Sequence, residues 1–125
     1  MQVGGLHPIL HVDDPHAERD FYALFGFTTS YEGPEFPNFL ALTAGDATFG
    51  VSRQPGETPV PAGFRWQLTV DDVDAVLAVC RENDLPHELE VESGGDRFRT
   101  RIVKVTSPAR MVVWFEGPNE AAGGA

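Results

Sequence analysis

The sequence predicts an α+β fold of two tandem βαβββ modules, and three observations lead to this prediction. The phrase Leu-x-Val-Asp-Asp occurs twice, at residues 10–14 and 68–72. Each copy ends an alternating, strand-like pattern and precedes apolar residues at helical spacing. A Pro- and Gly-rich stretch, QPGETPVPAG, separates the copies. We therefore expect one duplicated domain, with module one at about 5–54, a linker at 55–63, module two at about 64–117 and a disordered tail at 118–125.

Module one begins with a strand whose core face carries Leu6, Pro8, Leu10 and Val12, with His7, Ile9 and His11 on the other face. Asp14 then suits an N-cap and Pro15 a first helical turn, and the helical pattern ends at Gly26. Turn-forming pairs, Gly33-Pro34 and Gly45-Asp46, separate three further strands. These strands are expected at 28–31, 38–43 and 47–53.

Module two repeats this order. Its first strand alternates apolar residues with Arg65, Gln67 and Thr69, and Asp71 or Asp72 then caps a helix. The helix has one apolar stripe, formed by Val73, Val76, Leu77 and Cys80. Strands are expected at 87–92, 98–105 and 111–116.

Composition restricts the class of partner. The net charge of -10, with only nine Lys and Arg residues, argues against a nucleic-acid partner and favours cationic ligands. We expect no membrane partner, because no apolar run approaches the ~20 residues that a spanning helix needs. The single cysteine, Cys80, cannot form an internal disulfide, which fits a reducing compartment. A cytoplasmic location is expected.

Three segments carry a resemblance to a known family. The strand-to-helix junctions HPILHVDDPHAERDFYALFGF and FRWQLTVDDVDAVLAVC, with the terminal SPARMVVWFEG, resemble the vicinal oxygen chelate superfamily over nearly the whole chain. This superfamily includes glyoxalase I, extradiol dioxygenases, fosfomycin-resistance enzymes and drug-binding proteins of the bleomycin-resistance type. The resemblance implies curled, mostly antiparallel half-barrel sheets around a cavity, and a homodimer.

The resemblance also implies where a metal would be held. Metal-dependent members place one ligand on the first and one on the last strand of each module. His7 falls at the first such position, but its counterpart in module two is Arg65, which has no lone pair to give a metal. The remaining positions fall at Gly50, or Ser52 in a shifted register, and at Val113. One donor of four is not a site, so we expect no metal, no cofactor and no catalytic residue.

The ligand is expected to contact cavity-facing strand residues and the aromatic residues beside one turn. Gly50 should leave open volume for a bulky planar molecule, and Arg65 with Gln67 should orient the ligand or form an internal ion pair. His7 is a relic of a metal site, a ligand contact or a core histidine. Arg101, in the basic stretch GGDRFRTR, receives an anionic group or lies solvated at a strand edge. The predicted ligand-binding residues are His7, Ile9, Phe36, Phe39, Gly50, Arg65, Gln67, Arg101, Val113 and Phe115.

Four functions remain open at this point. The favoured one is a metal-free protein that binds and sequesters an antibiotic or other aromatic natural product. The negative net charge of the chain would favour a cationic ligand. The main alternative is a metal-dependent lyase, isomerase or dioxygenase. In that case the strand register assumed above is wrong, and His7 with a carboxylate such as Glu57 or Glu116 would bind the metal across a dimer. A third is metal-free acid–base catalysis by His7 or His11, for which the sequence places no orienting carboxylate. The last is a domain that pairs with another protein through a sheet edge.

Overall fold

The structure, a computed structural model, describes residues 1–93 and 99–119 and divides into two compact units, Met1–Pro61 and Ala62–Ala125. Each unit has the predicted βαβββ order and folds into one four-stranded mixed sheet with one helix, not closed into a barrel. Unit 1 contains β1 (Ile9–His11), α1 (Pro15–Ala23), β2 (Thr28–Tyr31), β3 (Phe39–Ala44) and β4 (Ala47–Ser52). Unit 2 contains β5 (Arg65–Thr69), α2 (Val73–Glu82), β6 (His87–Ser93), β7 (Arg99–Thr106) and β8 (Val112–Pro118).

The two sheets have the same topology. The strand order is β1-β4-β3-β2 in unit 1 and β5-β8-β7-β6 in unit 2. The first strand of each unit pairs in parallel with the last, and the other pairs are antiparallel. In unit 1, α1 packs against β3 and β4; in unit 2, α2 packs against β7 and β8. Each sheet therefore has one face covered by its helix and a second face, called the open face below.

The duplicated phrase encodes two equivalent helix starts. The Asp14 carboxylate accepts a hydrogen bond from the backbone N–H of Ala17 at 3.1 Å, and that of Asp72 accepts one from Ala75 at 3.1 Å. Both aspartates have extended backbone angles, as N-cap residues do. Of the two candidates for the second cap, the structure selects Asp72.

The Asp72 cap gives a first testable expectation. Asp72→Ala should lower the free energy of unfolding by about 1 kcal/mol, because one N–H of the first turn of α2 loses its only side-chain acceptor. Asp71→Ala removes the same charge from the exposed neighbouring residue and should change stability by less than about 0.5 kcal/mol. Urea denaturation of both variants measures the difference, and equal losses would contradict the capping role.

The core of unit 1 is an aromatic cluster between α1 and the sheet. The Tyr22 ring is fully buried, and its centroid lies 5.1 Å from that of Phe21, 5.4 Å from Phe27 and 4.8 Å from Phe49. These rings meet edge to face, the arrangement that the aromatic quadrupole favours. The cluster fixes the helix-covered face of the sheet and so directs the alternate residues of β1, β3 and β4 to the open face.

One predicted boundary was wrong in a way that affects the site. The first strand begins at Ile9, so His7 precedes it and is exposed rather than paired. Pro8 explains the difference, because it lacks an N–H and its carbonyl accepts from Gly50 at 2.8 Å before the ladder begins. The expected strand at 98–105 begins at Arg99, with Phe98 and residues 120–125 of the tail outside the described residues.

Within the described residues, no helix is long and apolar enough to span a membrane. Cys80 is fully buried on α2 as the apolar stripe predicts, and its burial raises the pKa of its thiol.

Candidate functional site

The open face of unit 1 bears a cavity of about 560 Å³. Strands β1, β3 and β4 supply its floor, and the β2–β3 connection and the segment after β4 supply its walls. Its volume lies in the range of small-molecule sites, which are mostly apolar with a few placed polar groups. The apolar lining residues are Ile9, Phe36, Pro37 and Phe39, and the polar ones are His11, Glu35, Ser52, Gln54 and Glu57.

Strand register explains why these residues meet. Ile9 pairs with Gly50, and His11 pairs with Ser52 across the parallel β1–β4 ladder. Phe39 of β3 pairs with Ser52 from the other side. Residues paired in this way project to the same face of a sheet. The register therefore brings together Ile9 and Phe39, two of the predicted ligand-binding residues, and it places His11 in the cavity lining beside them.

The space above Gly50 is filled, contrary to the expectation of open volume. A Cβ added at Gly50 would lie 2.7 Å from Cε2 of Phe39 and 3.4 Å from Cγ1 of Ile9. Gly50 itself is buried. The missing side chain thus allows the Phe39 ring to approach the backbone of β4, and the cavity is lined by that ring rather than by the glycine.

Phe36 and Phe39 line one wall of the cavity, and the Tyr31 ring packs against both of them. The centroids of Tyr31, Phe36 and Phe39 lie 6.1 to 6.4 Å apart, and Phe36 is 61% exposed at the cavity edge. The Tyr31 hydroxyl donates a hydrogen bond to Oε2 of Glu35 at 2.9 Å. This hydrogen bond lowers the pKa of Glu35, whereas partial desolvation, followed by the same hydrogen bond, raises the pKa of Tyr31. Glu35 is therefore a carboxylate at neutral pH beside an apolar wall.

The Tyr31–Glu35 hydrogen bond predicts a defined pH dependence. Because the pKa of Glu35 is lower when folded, the stabilisation is present above its ordinary value of 4.5 and is lost as the pH falls through the folded value. Because the pKa of Tyr31 is raised, the hydrogen bond persists above pH 10.0, the ordinary tyrosine value. Tyr31→Phe should raise the pKa of Glu35 toward 4.5, measured by carboxyl carbon NMR. An unchanged Glu35 titration would show that Tyr31 is not its partner in solution.

Another part of the cavity lining comes from the segment that the sequence predicts as a linker. Gln54 donates from Nε2 to the Pro37 carbonyl at 2.8 Å and to Ser52 Oγ at 3.3 Å. The Val60 N–H donates to the His11 carbonyl at 2.7 Å, and Nδ1 of His11 contacts Oε2 of Glu57. These contacts hold residues 54–60 against β1. The sequence offers no periodic pattern for this segment, so reasoning from the sequence missed Gln54 and, as a partner of His11, Glu57.

Unit 2 presents a different open face. Its predicted ligand contacts Arg65 and Gln67 are exposed on β5, and Gln67 pairs in register with Trp114 of β8. The Arg65 guanidinium carbon lies 4.1 Å from the centroid of the Trp114 ring, and Nζ of Lys104 lies 4.4 Å from it. Cation–π attraction of this kind contributes about 0.5 to 1 kcal/mol at an exposed site. This arrangement orients Arg65 without an internal ion pair to any described residue.

The facing predicted for β8 was wrong. Val113 and Phe115 pair with Trp66 and Leu68, and at 0% and 2% exposure they pack on the helix-covered face. Trp114, which we expected on that face, lies on the open one. All four residues from 112 to 115 are apolar, so both faces of β8 are apolar. The sequence alone therefore does not indicate which face the helix covers.

Arg101 is also placed away from the open face. It lies on β7 in the alternation of Val103 and Val105, and its Nη1 contacts Oδ1 of Asp74 on α2 at 2.8 Å. This contact lowers the pKa of Asp74. The charge of Arg101 therefore serves an ion pair with α2, and its companion Arg97 lies outside the described residues.

The side chains at the expected ligand positions do not fit the divalent metal ion that the sequence resemblance implies. On the open faces, the strand positions carry Gly50 and Ser52 in unit 1 and Arg65 in unit 2. His11 and Glu57 share one cavity, but they pair with each other. Across residues 1–93 and 99–119, no group of three or more His, Cys, Asp or Glu side chains is arranged so that it could hold a metal ion.

Comparisons with known proteins agree on the fold. No protein-family model matches the sequence, and no curated protein matches it. Among solved structures, a protein from the mobile metagenome of V. pseudocholerae has 15% identity and a TM-score of 0.73, covering 96% of this chain and 98% of its own. A bleomycin-binding protein complexed with bleomycin has 17% identity and a TM-score of 0.63, covering 94% and 100%. A lactoylglutathione lyase from Agrobacterium tumefaciens has 16% identity and a TM-score of 0.68, covering 94% and 96%.

The chain therefore has the two-module fold of these solved structures. At these identities the likeness concerns the fold alone, and the site must be argued from this chain's own residues.

Proposed function

We propose that this protein binds a small, planar aromatic molecule in the unit 1 cavity without a metal, and protects the cell by sequestering it. The observation that carries the proposal is the cavity of about 560 Å³, in which the apolar side chains of Ile9, Phe36 and Phe39 lie beside a few polar groups. Burying a planar ring against such a surface contributes about 25 cal/mol per Å² of apolar area. One of the proteins with this fold is described as a bleomycin-binding protein complexed with bleomycin, which supports small-molecule binding as an activity of the fold.

A cationic ligand fits this cavity better than an anionic one. Glu35 and Glu57 both line the cavity, and the chain carries a net charge of -10. The aromatic rings add a second attraction, because their faces are electron-rich. We further propose that the protein forms a homodimer, as the sequence resemblance implies. We also propose a cytoplasmic location, which the single, buried Cys80 supports.

A matched pair of fluorescent ligands tests the proposal. 9-Aminoacridine is planar and cationic at neutral pH, and acridine-9-carboxylate is planar and anionic. We expect 9-aminoacridine to bind saturably with a Kd below about 1 mM, and the anion to bind at least tenfold more weakly. Phe36→Ala should weaken the binding of 9-aminoacridine. Phe64→Ala, which removes a 39% exposed ring from unit 2, should leave that binding unchanged. Equal losses in both variants, or no saturable binding of either ligand, would contradict the proposal.

The metal-dependent alternative makes the opposite prediction. It requires about one equivalent of Zn, Fe, Ni or Mn per chain or per dimer in protein purified without chelator. Elemental analysis measures this ratio directly, and our proposal expects less than about a tenth of an equivalent of each metal.

A further inference from the structure

We propose that His11 is the general base of a metal-independent proton-transfer site in the unit 1 cavity, with Glu57 as its positioning residue. The inference rests on the proposed function, because it requires a small molecule in that cavity. It goes further in assigning the cavity an activity: removal of a proton from the bound molecule.

The His11–Glu57 pair defines which ring nitrogen is basic. Nδ1 of His11 faces the Glu57 carboxylate, which can only accept a hydrogen bond. In the neutral ring Nδ1 therefore carries the hydrogen, and Nε2 keeps the lone pair that a base needs. The carboxylate also stabilises the imidazolium that forms when Nε2 takes a proton, as in other His–carboxylate pairs.

The surroundings hold this pair in place from two sides. The backbone of His11 is fixed in β1, where it pairs with Ser52, and its carbonyl accepts from Val60 at 2.7 Å. The second hydrogen bond anchors the segment that carries Glu57. Both side chains are about one-third exposed and both line the cavity, so a bound molecule can reach the ring.

Ser52 provides a donor on the same floor. Its side chain is buried and lines the cavity, and Oγ accepts from Gln54 Nε2 at 3.3 Å. Because Oγ accepts this hydrogen bond, the Ser52 hydroxyl can donate its own hydrogen to another group, such as a ligand oxygen in the cavity. A base and a hydrogen-bond donor in one apolar cavity are the two groups that proton abstraction next to a carbonyl requires.

The chemical step balances without metal or oxidant. Nε2 of His11 removes a proton from a ligand carbon adjacent to a carbonyl. The C–H electron pair becomes the C=C bond of an enolate, whose oxygen accepts from the Ser52 hydroxyl. The imidazolium then returns the proton to another atom of the same ligand, which completes an isomerisation and restores neutral His11. The substrate class is therefore a small planar carbonyl compound or heterocycle with an acidic C–H bond.

Other charged groups lie near His11. Glu57 and Glu35 share the main cavity with it, and Asp13 and Arg53 line an adjoining one of about 90 Å³. Only the neutral ring can act as a base, so the rate should rise with pH.

A generic carbon acid tests the base without knowledge of the natural substrate. In 5-nitrobenzisoxazole, removal of the C3 proton forms a nitrile as the N–O bond breaks, and the resulting nitrophenolate absorbs visible light. The reaction needs a base alone, and the planar, neutral molecule is small enough for the cavity. Binding is measured separately with its unreactive isostere 5-nitroindazole, by quenching of protein fluorescence.

The chain supplies a matched control for the His11 variant. His16 also pairs with a carboxylate, that of Glu32 at 3.0 Å, but on the exposed surface of the same unit. We expect His11→Gln to lower kcat about a hundredfold with KM within about threefold. Glu57→Gln should lower kcat about tenfold and shift the midpoint of the pH–rate profile, because the ring loses its orienting charge. His16→Gln should leave both constants within about twofold.

Each outcome decides a separate claim. If 5-nitroindazole binds but the rate per site equals that of free imidazole, or His11→Gln and His16→Gln behave alike, the general base is refuted while the binding proposal stands. If neither binding nor a His11-dependent rate is found, this inference falls, and the acridine titration independently decides the binding proposal. If kcat/KM depends on His11 without saturation, the base is supported and the affinity for this probe is weak.

Discussion

Replacing Tyr22 by alanine should lower the free energy of unfolding by about 4 kcal/mol, since large-to-small changes at buried aromatic residues cost about 3 to 5 kcal/mol. The ring is fully buried and touches three other rings, those of Phe21, Phe27 and Phe49. Removing it leaves a void between α1 and the sheet that these rings cannot close without losing their edge-to-face contacts.

Phe36→Ala is the control for Tyr22→Ala. It also removes an aromatic ring from unit 1, but one that is 61% exposed, and it should cost less than about 1 kcal/mol. Chemical denaturation of both variants provides the comparison. Similar losses for the two variants would mean that the aromatic cluster under α1 does not hold unit 1 together.

Replacing Gly50 by valine should weaken binding of a planar ligand about a hundredfold. The new Cβ would meet the Phe39 ring at 2.7 Å, and the branched methyl groups extend further in the same direction. The ring must then leave β4 and enter the cavity. Loss of an apolar wall of this size corresponds to about 2 to 3 kcal/mol, or roughly two powers of ten in Kd.

The control for Gly50→Val separates blocking of the cavity from loss of the fold. Gly4→Ala adds a Cβ with no atom within 4 Å and should change neither stability nor binding. Gly50→Val should remain folded, because overpacking typically costs about 1 to 3 kcal/mol. Calorimetric titration with 9-aminoacridine measures the affinity. Unchanged affinity in a folded Gly50→Val protein would show that the ligand lies elsewhere.

The sequence was sufficient for the elements that local chemistry determines. Asp14 was identifiable as an N-cap, and the second cap was narrowed to Asp71 or Asp72, because an N-cap depends on a side chain and the backbone three residues away. Cys80 was correctly placed in the core because the apolar stripe of α2 has helical spacing. The module order followed from these signals and from the turn residues between strands.

The sequence was insufficient where a strand has two apolar faces or a segment has no period. The alternation of β8 could not distinguish Val113 from Trp114 as the open-face residue, since the choice depends on register with β5. The ring over Gly50 depends on the pairing of β3 with β4. Glu57 meets His11 only because hydrogen bonds from Gln54 and Val60 dock a Pro- and Gly-rich segment that has no pattern of its own.

The comparison between the two units supports the choice of unit 1 as the binding site. In unit 1 Phe36 and Phe39 border a cavity, and Glu35, which accepts a hydrogen bond from the neighbouring Tyr31, also lines it. In unit 2 the open-face ring of Trp114 is already contacted by Arg65 and Lys104. A ligand ring in unit 2 would have to displace one of these cations, whereas in unit 1 it displaces only solvent.

The most direct test of the central claim is a ¹H–¹⁵N NMR titration of the assigned protein with 9-aminoacridine. Saturable shift changes should be largest at the backbone amides of Ile9, Phe39 and Ser52 and at the Gln54 side-chain amide, and small along α1 and α2. Changes centred on Trp114 and Lys104 instead, or changes spread evenly over exposed acidic residues without saturation, would contradict a binding site in the unit 1 cavity.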